Sequence, residues 1–220
     1  MNGAFRLLVL LPALLLAGCA AALPPITADT APVSCAAPFV SGRWQFTHTV
    51  AITVAGKTRG ALIGVIRVDT AAAAIHCVLM TVEGMVVFEA SDLGGLTVIR
   101  ALPPFTGDAY AKGLMDDVRL TFLPPEGPPS AVGRTPEGDA ACRFVQPGGG
   151  VVDIIGLGTA GWTIRRYDNL RRLEKEIMAT AGDAPTPAIA RRMVLTDNGL
   201  PGYRLSMNLI DARPVPGDTP

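Results

Sequence analysis

Histidine occurs only twice in the 220 residues, at His48 and His76, and neither stands in an HExxH motif or beside a second ligand. Zinc hydrolysis therefore lacks its ligands. No GxSxG turn is present to carry an activated serine. Lys plus Arg and Asp plus Glu balance at 19 each, with no basic run. That balance leaves no electrostatic footprint for nucleic acid or for a polybasic membrane contact. The apolar run 7–16 falls short of the roughly 20 residues of a membrane-spanning helix. The four cysteines, Cys19, Cys35, Cys77 and Cys142, have no metal-knuckle spacing. If Cys19 is set aside, an odd number remains, so an oxidising compartment would leave at least one thiol free in a monomer; the pairing is open.

What the chain does have begins at its first residues. Arg6 precedes the apolar run, which is followed by Leu16-Ala17-Gly18-Cys19. The pattern reads as a signal peptide, residues 1–18. Its last four residues resemble the lipobox of bacterial lipoproteins, which implies cleavage before Cys19 and a lipid anchor on its sulfur. The alternative is an ordinary cleaved leader with an incidental cysteine. In the enteric sorting rule that comes with the resemblance, aspartate after the cysteine retains a lipoprotein in the inner membrane. Ala20 therefore implies the periplasmic face of the outer membrane. Residues 20–34, AAALPPITADTAPVS, lack hydrophobic periodicity, and 19–38 are expected to form a lipidated, flexible tether. At the roughly 3.1 Å per residue of an extended proline-rich chain, fifteen such residues reach at most roughly 45 Å.

One domain is expected over 39–213, with a disordered tail at 214–220. Trp44, Phe46, His48, Val50, Ile52 and Val54 alternate with polar or small residues, which is the pattern of a long half-buried strand. After the turn 55–58, residues 62–68 alternate again, completing a hairpin. Further strands are predicted at 75–81, 85–90, 96–101, 151–157, 162–166, 190–195 and 203–209. Segment 170–180 fits strand or helix, with strand preferred. Asp108 is placed to cap a helix whose inner face carries Tyr110, Leu114, Met115 and Val118, with Lys112, Asp116 and Arg119 pointing away. Segment 123–138, rich in proline and glycine, is expected to be loop. Short turns between consecutive strands imply an antiparallel sheet.

Gly156-Leu157-Gly158-Thr159-Ala160-Gly161 spells a dinucleotide fingerprint after a predicted strand. Only 59 residues follow it and they read as antiparallel strands, so the glycines are assigned to a hairpin bend and no cofactor is expected. The acidic pair Asp116-Asp117 is assigned to the solvated side of the helix. His48 is read as an interior histidine, with hydrogen bonding to a ligand head group as the alternative.

The C-terminal hairpin, Met193-Val194-Leu195-Thr196-Asp197-Asn198-Gly199 followed by Gly202-Tyr203-Arg204-Leu205-Ser206-Met207, resembles the closing strands of LolB-like outer-membrane lipoproteins. A related group of lipoproteins accompanying aryl polyene pigment synthesis is similar through Gly202-Tyr203-Arg204-Leu205. The order of elements over residues 40–210 matches as well. The resemblance implies a mainly β, α+β fold: a curved antiparallel sheet forming an open half-barrel, closed by one or more helices around an apolar cavity.

It also implies transfer rather than catalysis. Such proteins take acylated cargo from a periplasmic carrier and pass it to the outer membrane. Phe46, Val50, Ile52, Leu62, Ile66, Phe88, Tyr203, Leu205 and Met207 would line the cavity. The family inserts an exposed leucine of a P-L-G turn into the membrane; the corresponding turn here is 81–84, with Val82 in that place. The departure leaves lipoprotein acyl chains or another lipid as cargo. The rival is a structural or assembly lipoprotein with a solid core, acting through surface contacts with envelope proteins. An apolar cavity above about 300 Å³ between sheet and helix separates the two.

Overall fold

The computed structural model describes residues 23–29, 35, 38–181 and 189–216. The signal peptide, Cys19, much of the expected tether and the last four residues lie outside them. Among the described residues no helix is long and apolar enough to cross a membrane.

Twelve strands form one antiparallel sheet: β1 Arg43–Val54, β2 Lys57–Asp69, β3 Ala74–Met80, β4 Val86–Asp92, β5 Leu96–Ala101, β6 Ala131–Arg134, β7 Ala140–Val145, β8 Val151–Gly156, β9 Gly161–Tyr167, β10 Leu173–Thr180, β11 Arg192–Asp197 and β12 Tyr203–Pro214. Their order is β5-β4-β3-β2-β1-β12-β11-β10-β9-β8-β7-β6. Two meanders thus meet where β1 pairs with β12, and β5 and β6 are left as unpaired edges, so the barrel is not closed. Between these edges in the sequence lies α1, Asp108–Phe122. The chain crosses from one edge to the other, and the helix is laid over the inner face of the sheet on the way.

The alternation predicted for residues 44–54 survives as inward Phe46, His48 and Val50, all buried. The buried face of α1 carries Ala111, Met115, Val118 and Phe122, which join the core formed by Phe46, Ile66, Cys77, Phe88, Ile164, Ile177 and Leu195. Asp108 is the first helical residue rather than the cap. Gly107 occupies the cap position without a side-chain hydrogen bond, and Asp108 instead places negative charge at the helix N-terminus.

Four further expectations are corrected. Segment 123–138 is not all loop, because Ala131–Arg134 pairs with β7. Neither strand of that pair has a local alternation strong enough to announce it, and cross-strand pairing supplies the order. The C-terminal strand runs on to Pro214, and the Val215 N–H donates to the Arg43 carbonyl, so residues 214 and 215 are not free tail. Tyr110 is half exposed and packs edge-on against Phe105, with ring centres 5.9 Å apart.

The fourth concerns the tether. Thr27 bridges Arg134 on the β6 edge through two backbone hydrogen bonds of 2.9 and 2.8 Å. Asp29 pairs with Arg134 at 2.6 Å, and the Arg143 guanidinium donates to the Pro24 carbonyl at 2.8 Å. Cys35 is disulfide-bonded to Cys142. Cys142 and Arg143 are adjacent on β7 and face opposite sides of the sheet. The N-terminal segment therefore touches one face at Pro24, the edge at Thr27 and the other face at Cys35. This strap covers a sheet edge that would otherwise invite pairing. It fits because Gly133 has no side chain: a Cβ there would lie 1.9 Å from the Thr27 carbonyl oxygen.

Gly156 to Gly161 form the turn between β8 and β9, an antiparallel pair, with a 3₁₀ turn at Gly158–Ala160. No parallel strand feeds a helix there. Gly161, at φ 144°, lies so near the Ala179 carbonyl that a Cβ would be 1.9 Å from its oxygen. Close strand packing, not a pyrophosphate, explains that glycine.

Candidate functional site

Between α1 and the inner face of the sheet lies a cavity of about 410 Å³. Its walls follow strand periodicity: His48, Val50, Ile52 and Val54 from β1, and Tyr203, Leu205 and Met207 from β12. Ile66 and Gly64 of β2, Cys77 and Leu79 of β3 and Leu195 of β11 complete the floor, while Leu114, Val118 and Phe122 of α1 form the roof. Strands as far apart in the sheet as β3 and β10 border one space, which requires the sheet to curve around it. Exposure grades along the lining. Ala109, Tyr110 and Pro201 are exposed at one end, and His48, Thr121 and Phe122 are buried at the other. The cavity opens at the first end and closes at the second. Residues 48 and 54 of β1 mark the two ends, and six residues of strand span roughly 20 Å.

Of the nine residues predicted to line a cavity, Val50, Ile52, Ile66, Tyr203, Leu205 and Met207 do so. Phe46, Leu62 and Phe88 do not. Phe46 packs on Phe122 at 5.2 Å between ring centres, Phe88 on Phe105 at 5.9 Å, and Leu62 lies partly buried against the core. Val82 is 68% exposed in the turn closed by the Thr81 N–H to Met85 carbonyl hydrogen bond.

A polar cluster forms part of one wall. Across β12, β11 and β10, Tyr203 stands opposite Asp197 and Asp197 opposite Lys175. Asp117 reaches this row from α1. The Lys175 ammonium donates to one Asp117 oxygen and to the Tyr203 hydroxyl at 2.9 Å, and it forms an ion pair with Asp197 Oδ2 at 3.0 Å. The Tyr203 hydroxyl donates to the other Asp117 oxygen. Two carboxylates and a phenol thus surround the ammonium. Burial raises the Asp117 carboxyl above the usual carboxylate range, and the charge and hydrogen bond of Lys175 oppose it. Burial, then the Asp117 charge, pushes the Tyr203 phenol well above its ordinary value, so it stays protonated and donates.

Asp117 is the largest departure from the sequence reading. It was assigned to the solvated side of the helix, yet it is buried at 3% exposure. Its neighbour Asp116 does face outward, paired with Lys112 at 2.6 Å. A helical wheel places Asp117 one turn before Thr121 and three residues after Leu114, on the inner side, but its burial depends on Lys175, 58 residues away.

At the closed end, His48 is 2% exposed and its Nε2 has no hydrogen-bond partner among the described residues. Its ring stacks on Phe46 at 6.2 Å and leans on Phe122 at 5.9 Å. Burial pushes its pKa down to about 4, so the imidazole is neutral at physiological pH. Cys77 is a free thiol with no exposed surface, pushed up to about 12 by burial and chemically quiet. Among the described residues no group of three or more His, Cys, Asp or Glu side chains could hold a metal ion.

No protein-family model matches the chain, and no curated protein matches it in sequence. Solved structures similar to it include a domain assigned to outer membrane lipoprotein sorting from Vibrio parahaemolyticus, at 12% identity and a TM-score of 0.44, over 80% of this chain and 86% of that one. A DUF1329 family protein from Desulfovibrio piger is similar at 11% identity and TM-score 0.44, covering 81% and 88%. The LolA superfamily protein NE2245 from Nitrosomonas europaea is similar at 9% identity and TM-score 0.45, covering 83% and 91%.

Proposed function

We propose that this chain binds a hydrophobic cargo, an acyl chain or another lipid, in the cavity under α1, and holds or transfers it without chemical change. The observation that carries this reading is the apolar space itself. About 410 Å³ lies between α1 and the sheet, open at one end, whereas natural cores leave few voids larger than a water molecule. Each methylene moved from water into such a space gains about 0.8 kcal/mol. An acyl chain is thereby held by several kcal/mol, and release needs a competing apolar phase such as a bilayer. A solid-cored assembly protein would have no use for the void.

The lipobox resemblance at Cys19 extends the proposal to a place: a lipid-anchored protein at the periplasmic face of the outer membrane, with Val82 as a candidate membrane contact and a periplasmic carrier as a candidate donor. Purification without detergent of the full chain carrying Cys19→Ser, followed by mass spectrometry of extracted lipid and titration with N-phenyl-1-naphthylamine, tests the binding. Co-purified lipid or saturable fluorescence is expected. Absence of both would overturn the proposal.

A further inference from the structure

The two ends of the cavity differ in chemistry, and neither offers charge to an anion. Among the described residues Lys175 is the one Lys or Arg side chain in the lining; it is hydrogen-bonded to Asp117 and Tyr203 and ion-paired with Asp117 and Asp197. With both carboxylates ionised the cluster is net negative. Arg166, which acts on Asp117 electrostatically, is hydrogen-bonded to Glu174 and lies outside the lining. Lys57 and Arg59 are exposed on the β1–β2 hairpin and also lie outside it. A carboxylate or phosphate placed here would be an unpaired anion near a negative wall, and such burial is strongly unfavourable.

The closed end offers something else. His48 lines this end, and its buried Nε2 has no hydrogen-bond partner among the described residues, while Thr121 at the same end gives its hydroxyl to the Asp117 carbonyl at 2.7 Å. A buried polar atom left without a partner costs about 1–3 kcal/mol, which a bond from a ligand would recover. An uncharged imidazole carries one ring nitrogen that can donate to an ester carbonyl and one that can accept from a hydroxyl. Volume limits the rest of the ligand. At about 30 Å³ for each water-sized group, 410 Å³ admits roughly a dozen methylenes and one polar group, hence one chain rather than two.

We infer that the cargo is a single-chain lipid with an uncharged hydrogen-bonding group, a hydroxyl or an ester, held against the imidazole of His48 at the closed end, and that chains ending in a carboxylate or phosphate bind more weakly. The inference rests on the cavity-binding reading above and specifies its ligand class.

The test uses the full chain with Cys19→Ser at pH 7.4. Bound N-phenyl-1-naphthylamine is displaced with dodecanol, methyl dodecanoate or dodecanoate, each below its micellar concentration. The alcohol and the ester are expected to compete about tenfold better than the carboxylate. His48→Phe keeps the ring contacts and should weaken dodecanol about fivefold more than it weakens the probe, the loss of one hydrogen bond. Asp197→Asn removes one negative charge from the wall and should strengthen dodecanoate severalfold.

Dodecanoate binding as well as dodecanol would overturn the inference while leaving hydrophobic binding intact, and that comparison needs no variant. Unchanged dodecanol affinity in folded His48→Phe would equally overturn the role of His48. If neither the probe nor any of the three ligands binds, the cavity reading itself fails.

Discussion

Lys175 on β10 and Asp117 on α1 form an ion pair with side chains only 6% and 3% exposed, fastening the helix to the far half of the sheet. Removing one partner strands the other charge. Asp117→Leu or Lys175→Met alone is expected to cost about 3–5 kcal/mol in urea unfolding, and the double substitution distinctly less than the sum. Additive losses would mean that the pair is not coupled.

Cys35 and Cys142 close a loop of 107 residues and pin the strap to β7. Chain-entropy reasoning puts the value of such a bridge at about 4–5 kcal/mol. Cys35→Ser should lower the denaturation midpoint accordingly and expose residues 23–29 to proteolysis. In the native protein Cys77 should resist alkylation at pH 8, reacting only on unfolding, because its thiol is buried and its pKa pushed up to about 12.

His48 sets a pH dependence. Its folded pKa, about 4, lies below the ordinary 6.5, so between these values the unfolded chain binds more protons than the folded one. Stability is therefore full above pH 6.5, declines as pH falls towards 4 and levels off below it, a loss on the order of 3 kcal/mol. Asp117, whose carboxyl is raised, works with the opposite sign. The difference between wild type and His48→Phe across pH 4–7 isolates the histidine; parallel curves would contradict its burial as a neutral ring.

Filling the cavity separates binding from folding. Leu205 lines it and is only partly buried. Leu205→Trp should reduce probe binding about tenfold or more while changing stability by no more than about 1–2 kcal/mol, since the added ring enters empty space. Equal binding in this variant would move the ligand elsewhere.

Gly133→Val tests the strap. The new Cβ would meet the Thr27 carbonyl at 1.9 Å, so the segment must leave the β6 edge. Faster proteolysis near residues 23–29 and concentration-dependent self-association are expected by limited digestion and light scattering. A variant as protected and monomeric as wild type would show that the strap is not what covers this edge.

What the sequence by itself determined is the facing of residues along single elements. His48, Val50, Ile52 and Val54, like Tyr203, Leu205 and Met207, share a side because successive strand residues point to opposite faces, and that side borders the cavity. The antiparallel sheet, the hairpins, the single described helix and the harmless role of Gly156 to Gly161 follow from equally local patterns.

Tertiary structure alone decided everything that depends on residues distant in the chain. The pairing of Cys35 with Cys142, the strap over β6, the short β6–β7 hairpin and the burial of Asp117 beside Lys175 have no local periodicity. So too with the void. Alternation marks which side chains face inward, but whether they meet or leave about 410 Å³ between them depends on how far the sheet curves and where the helix crosses it. Those are set by packing over the whole domain, which no window of sequence contains.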